Sequence, residues 1–203
     1  SEWVAALDDS EQYAVAVSCV KDDTYAQQIG RAFKSLSSTT LNFVKSSATF
    51  AGVRNAYDEP QRLGVDRWLA LLAIKARGEN SAVIIDVGTA CTIDVLENGQ
   101  HLGGYIFPGM ALARDALVAN TDKIRFSENP EPSTSLGTDT ASCVLSGIWL
   151  TLLVSCQSVI DRFPNATVYL TGGSAPELTA LGLDAKRVDG LVFDGLDFWL
   201  NGA

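Results

Sequence analysis

The chain has 203 residues, 47% of them hydrophobic, and a formal net charge of -9 at pH 7. That is enough apolar side chain to fill a sizeable core, and the negative surface excludes the basic footprint that grips a nucleic-acid backbone. Uncharged apolar runs such as Trp149 to Ser155 fall short of the ~20 residues of a membrane helix, and no basic-then-apolar leader opens the chain, so a cytoplasmic protein without membrane contact is expected.

In chain order, Tyr13 to Val20 is a short apolar, β-branched run that predicts a buried strand. A helix is expected from Thr24 to Leu36, and weaker strand or loop segments at Leu41 to Val44 and Ser47 to Val53. Val65, Trp68, Leu69, Leu72 and Ala76 then recur at helical spacing, with Gly78 as the stop. Val83 to Asp86 reads as a second buried strand. In the strand after it, Cys91, Ile93 and Val95 alternate with Thr92 and Asp94, which fall on the opposite face. Asn98-Gly99 is a type I′ hairpin signal leading into a strand from His101 to Ile106. The pattern closes with helices to Ala119 and from Thr138 to Arg162, a strand at Thr167 to Leu170, a helix after "TGGSAPEL", and a last helix from Leu191 to Leu200. A polar loop at Ser127 to Ser135 separates the first two of these helices. The organisation is α/β throughout, with a first domain over residues 1-79 and a second over 80-203.

Three stretches could carry chemistry. In Asp86-Val87-Gly88-Thr89, glycine lets the backbone approach a ligand, and the Thr hydroxyl and successive N–H groups can bond phosphate oxygens. A carboxylate there repels phosphate unless a cation lies between them, so Asp86 points to a bound metal ion; a local hydrogen-bonded turn is the alternative. In "LGVDRW", Asp66 and Arg67 open a helix whose exposed N–H groups favour anions, and Arg can grip a carboxylate in bidentate fashion. An ordinary surface pair is the other reading of that dipeptide. In "LTGGSAPEL", the Gly172-Gly173 pair admits a flat ligand such as a nucleobase, or serves only as a tight turn.

Cys19, Cys91, Cys143 and Cys156 are scattered without C-x-x-C spacing among apolar neighbours, which predicts buried reduced thiols rather than zinc ligands. His101 is the single histidine and no Ser sits in G-x-S-x-G, so a Ser-His-Asp hydrolase has almost no support.

Taken together and in order, "AVAVSCV", "AYDEPQRLGVDR", "IIDVGTACTID", "HLGGYIFPG", "LGTDTASCVLSG", "VYLTGGSAPEL" and "GLVFDGLDFW" resemble the type III pantothenate kinases of the acetate and sugar kinase, Hsp70 and actin superfamily. The resemblance implies a ribonuclease-H-like (actin-like ATPase) two-domain α/β fold. It also implies ATP-dependent phosphorylation of pantothenate, the first step toward coenzyme A. Under it Asp66 is the general base, and Tyr57, Gly64, Val65, Asp66, Arg67 and Thr140 bind pantothenate. Gly88, Thr89, Gly172 and Gly173 contact ATP, which arrives with Mg²⁺. Asp86 holds a monovalent cation, K⁺ or NH₄⁺, and the protein is a homodimer. The family's first phosphate loop, a strand carrying Asp-x-Gly-Asn-Thr, has no counterpart in "SEWVAALDDSEQY". The first domain is therefore incomplete at its N-terminus, and a segment upstream of Ser1 is expected to supply the loop. A non-catalytic, pantothenate-binding or regulatory family member that has lost the loop is the alternative.

Overall fold

A computed structural model describes residues 13–18, 27–31, 39–119 and 131–202. Contacts divide the chain into two compact units, residues 1–78 with 192–203, and residues 79–191.

In the first unit, β1 (Tyr13–Val17) and β2 (Thr39–Phe43) pair in parallel, Tyr13 opposite Thr39 and Val17 opposite Phe43. A parallel pair needs a crossover, and residues 27–31 within it are helical; the rest of the helix expected from 24 to 36 lies outside the described residues, as do Cys19 and Val20. The weak 47–53 segment resolves into a tight hairpin, β3 (Thr49–Phe50) with β4 (Val53–Arg54), turning at Ala51 and Gly52, both at positive φ. Helix α1 (Val65–Ala76) forms where the apolar spacing predicted it and stops at Gly78, whose φ of 77° is the left-handed conformation that glycine adopts without strain. Its burial extends beyond the predicted stripe: Arg67 and every residue from Trp68 to Ile74 are buried, so α1 is a core helix, apolar on all sides. The last helix, α5 (Leu191–Asn201), packs closely on it. A methyl group on Gly195 would collide with the Leu69 carbonyl, and the Phe50 ring lies 6.2 Å from Phe198 and 6.5 Å from Trp199.

The second unit is built on β5 (Ala82–Val87), β6 (Ala90–Glu97), β7 (Gln100–Pro108), β8 (Thr167–Thr171) and β9 (Lys186–Arg187), in the order β7-β6-β5-β8-β9. β6 runs antiparallel to β5 and β7, whereas β8 is parallel to β5 and β9 parallel to β8. An antiparallel meander followed by parallel strands added on the other side of the first strand is the ribonuclease-H-like arrangement. The short β9 carries no apolar pattern, and the sequence reading missed it. Asn98 and Gly99 turn β6 into β7 with φ of 52° and 78°, as a type I′ turn requires. Val83, Ile85 and Val87 of β5, with Cys91, Ile93 and Val95 of β6, form one core with Leu170 of β8. Helix α3 (Thr140–Ile160) covers them with Ile148, Trp149, Leu152, Cys156 and Val159. Helices α2 (Met110–Val118) and α4 (Ala175–Ala180) complete the unit.

Two expectations need correction and one gains a detail. First, α3 holds no charged residue over its 21 positions and is, by length and composition, long and apolar enough to cross a membrane. Interspersed Ser, Thr, Gly and Gln shorten the apparent run in the sequence, although one side of the helix is packed into the core of this unit. Second, Thr92 and Asp94 do lie on the face of β6 opposite Cys91, Ile93 and Val95, but Asp94 is buried there and accepts a hydrogen bond at 2.9 Å from Nε2 of the fully buried His101. Third, only Cys91 and Cys156 are buried thiols among the described residues, while Cys143 is exposed. The hydrogen bond between that buried pair, together with burial, pushes the Cys91 thiol up, so it stays protonated and inert.

Leu170, wholly buried on the central parallel strand β8, tests this core. Leu170→Ala should cost roughly 2–5 kcal/mol in urea unfolding; a loss under about 1 kcal/mol would contradict the packing described.

Candidate active site

The predicted site residues fall into two groups, one in each unit. In the first, a short 3₁₀ turn (Pro60–Arg62) delivers Leu63 and Gly64 to the start of α1. Gly64 provides no side-chain cap; instead Asp66 folds back, and its Oδ1 accepts a hydrogen bond from the Arg67 N–H at 2.8 Å. A methyl group on Gly64 would stand 2.6 Å from that oxygen, so the carboxylate lies across the helix start only because residue 64 is glycine. Arg67 is 6% exposed. Its Nη1 donates to Tyr57 Oη at 2.9 Å, and its guanidinium carbon lies 5.9 Å from the centre of the Tyr57 ring, within cation–π range. The structure thus brings Tyr57, Gly64, Val65, Asp66 and Arg67 together at the positive end of a helix, an arrangement able to bind a carboxylate and accept a proton beside it.

The second group lies at the carboxyl ends of β5 and β8, where the strand order reverses and α/β sheets bind their ligands. Asp86 is in register with Thr171, so the Gly88-Thr89 and Gly172-Gly173 turns leave the sheet side by side. Backbone bonds knit them: Gly88 N–H to Ala90 O, Gly109 N–H to Thr89 O and Ser174 N–H to Val87 O, each 2.9 Å. Gly172 has a φ of 97°, and a methyl group on it would stand 2.5 Å from Asp86 Oδ1. Gly109, to which sequence reasoning assigned no role, is as crowded, since a methyl group there would collide with the carbonyls of Gly88 and Thr89; only the fold shows that approach. Gly88, Thr89 and Gly173 are exposed around the half-buried Asp86. Thr140 also belongs to this unit. It is exposed in the first turn of α3, which Asp139 caps by accepting from Ser142 N–H at 2.9 Å.

Steric crowding separates the two adjacent glycines. Gly172→Ala forces a left-handed residue against Asp86, whereas Gly173 has nothing within 4 Å of an added methyl group and an ordinary φ. Gly172→Ala should therefore lower the unfolding free energy measured in urea by at least about 1 kcal/mol, and Gly173→Ala by less than about 0.5 kcal/mol. Equal effects would contradict the packing at Asp86.

The model of the type III pantothenate kinase family matches residues 1–162. A type III pantothenate kinase of Marinobacter nauticus is 35% identical over 187 residues, which cover 90% of this chain and 77% of that protein. One from Acinetobacter baumannii is 38% identical over 164 residues, covering 81% and 66%, and one from Ectopseudomonas mendocina is 38% identical over 191, covering 87% and 75%. The chain thus spans about two thirds to three quarters of the length of these curated relatives. In fold it is similar to the crystal structure of a Campylobacter jejuni protein assigned to the Baf family of transcriptional activators, with a TM-score of 0.61 at 17% identity over 97% of this chain and 84% of that one. By the family match and by identity sustained over most of its length, the chain belongs to the type III pantothenate kinase family.

Proposed function

We propose that the protein transfers the γ-phosphoryl group of ATP to the primary hydroxyl of pantothenate. The observation that carries this reading is the grouping of Asp66, Arg67 and Tyr57 at the start of α1, because it offers a cation for the substrate carboxylate next to an acceptor for a hydroxyl proton. Arg67 and Tyr57, with Gly64, Val65 and Thr140, hold pantothenate. Asp66, whose Oδ1 is engaged by the Arg67 N–H, uses its second oxygen to orient the hydroxyl and take its proton. In a loose phosphoryl-transfer transition state that proton leaves late, so an ordinary carboxylate is basic enough and positioning dominates. Gly88 and Thr89 offer N–H and hydroxyl donors to the ATP phosphates, Gly173 leaves room for the base while Gly172 lets its turn close against Asp86, and Mg²⁺ enters with the nucleotide.

Asp86 suits a monovalent cation, K⁺ or NH₄⁺. It is a half-buried carboxylate at the end of β5, between the exposed Gly88-Thr89 turn and Gly172. Such an ion supplies positive charge between the carboxylate and the triphosphate. A homodimer completes the reading. Leu150 and Val154 on α3, and Leu112 and Leu117 on α2, are each close to half exposed, and an apolar hollow of about 410 Å³ lies between the two helices; a second copy is the natural cover for such a face.

In the full-length protein, Asp66→Asn should lower kcat by roughly 10²-fold or more with pantothenate affinity changed far less. Arg67→Lys keeps the charge but loses the planar fork, so the KM for pantothenate should rise about tenfold, or ~1.4 kcal/mol. Wild-type turnover by Asp66→Asn in a coupled ADP-release assay would remove Asp66 from its assigned role. For the cation, replacing Na⁺ by K⁺ or NH₄⁺ should raise activity, and Asp86→Asn should weaken that response. Indifference to the monovalent ion would sink the assignment of Asp86.

A further inference from the structure

The segment that carries Tyr57 is held by a buried side chain with no assigned role. Asn55, 9% exposed, donates from Nδ2 to Ser47 O at 3.2 Å and to Pro60 O at 3.1 Å, and its Oδ1 accepts from the Tyr57 N–H at 3.0 Å. Its own N–H donates to Ala48 O at 2.9 Å. The carboxamide therefore makes three of the four hydrogen bonds open to it, joining residue 47, the Tyr57 backbone and the 3₁₀ turn that leads to Gly64. Ser46 adds a parallel brace, its buried Oγ donating to Leu63 O at 2.8 Å.

We propose that Asn55 is a positioning residue for pantothenate: it fixes Tyr57 at the height where its hydroxyl meets the Arg67 guanidinium, and so sets the geometry of that clamp. The inference rests on reading the Tyr57–Arg67 group as the pantothenate pocket. A turn-forming role alone needs only the Oδ1 bond to the N–H two residues on, which aspartate makes equally well. What aspartate cannot supply are the two donors to Ser47 O and Pro60 O, where its second oxygen would face carbonyl oxygens instead. The requirement is for an amide, and its output is the place of the Tyr57 ring.

Steady-state kinetics of the full-length protein with Asn55→Asp, Asn55→Ser, Tyr57→Phe and the Asn55→Asp/Tyr57→Phe double variant test this. Asn55→Asp should raise the KM for pantothenate about tenfold, with kcat and the KM for ATP changed much less. The double variant should be no worse than the more impaired single one, since both act through the same Tyr57–Arg67 contact and coupled residues are non-additive. Asn55→Ser, too short to reach both carbonyls, should show the same KM shift and is read if the aspartate variant fails to fold. Additive losses, or a fall in kcat and both affinities together, would make Asn55 a general support of the fold and overturn the proposal, as would an unchanged KM in both variants. If the wild-type protein turns over no pantothenate, the pocket reading fails first and this inference with it; an active wild type with indifferent Asn55 variants sinks the inference alone.

Discussion

Gly172 has no side chain because the Asp86 carboxylate and the Val87 backbone occupy the space a side chain would need, and the geometry of the second unit hangs on that contact. β5 is hydrogen-bonded on both sides, antiparallel to β6 and parallel to β8, so the point where it leaves the sheet is fixed from two directions. Residues 87–89, 109 and 172–174 converge there and bond backbone to backbone. With no side chain at Gly109 or Gly172 between them, the turns are placed by the sheet itself, and their position cannot drift without breaking the core behind them. The proposed phosphate contacts would draw on that preorganisation, because such donors must already point at the ligand before charge develops.

The first unit solves a different problem, holding a cation in a nearly dry place. Burying Arg67 is costly unless the guanidinium is engaged, and Tyr57 engages it with both its hydroxyl and its ring. The helix that carries Arg67 is itself buried at every position from Trp68 to Ile74. Its charged end therefore borrows rigidity from an apolar helix, while the Tyr57 end depends on the polar braces of Asn55 and Ser46. Loop 55–63 is thus held by two buried polar side chains, Asn55 within it and Ser46 before it.

Much of this was legible in the amino-acid order, for physical reasons that differ by element. α1, β5, β6 and the Asn98-Gly99 turn announce themselves because hydrophobic period and turn chemistry are local. The grouping of Asp66 with Arg67 is local too. What escaped the sequence reading is the part that depends on contacts between distant backbones: Gly109 against Thr89, Asn55 against Pro60 and Ser47, and the short β9, whose only reason to be a strand is its neighbour β8. The burial of Asp94 was missed because its partner, His101, sits on the next strand of the hairpin. The helix α3 was legible from Thr138 to Arg162, and only its apolar length was underrated, because Ser, Thr and Gly interrupt a run that carries no charge.

The product of the reaction is the most direct test of the assignment. The full-length protein, incubated with ATP·Mg²⁺, K⁺ and pantothenate, should form a phosphate monoester at the primary hydroxyl of pantothenate, one for each ADP released, detectable by mass spectrometry. ADP release without the ester, or an ester that forms at the same rate without the protein, would contradict it.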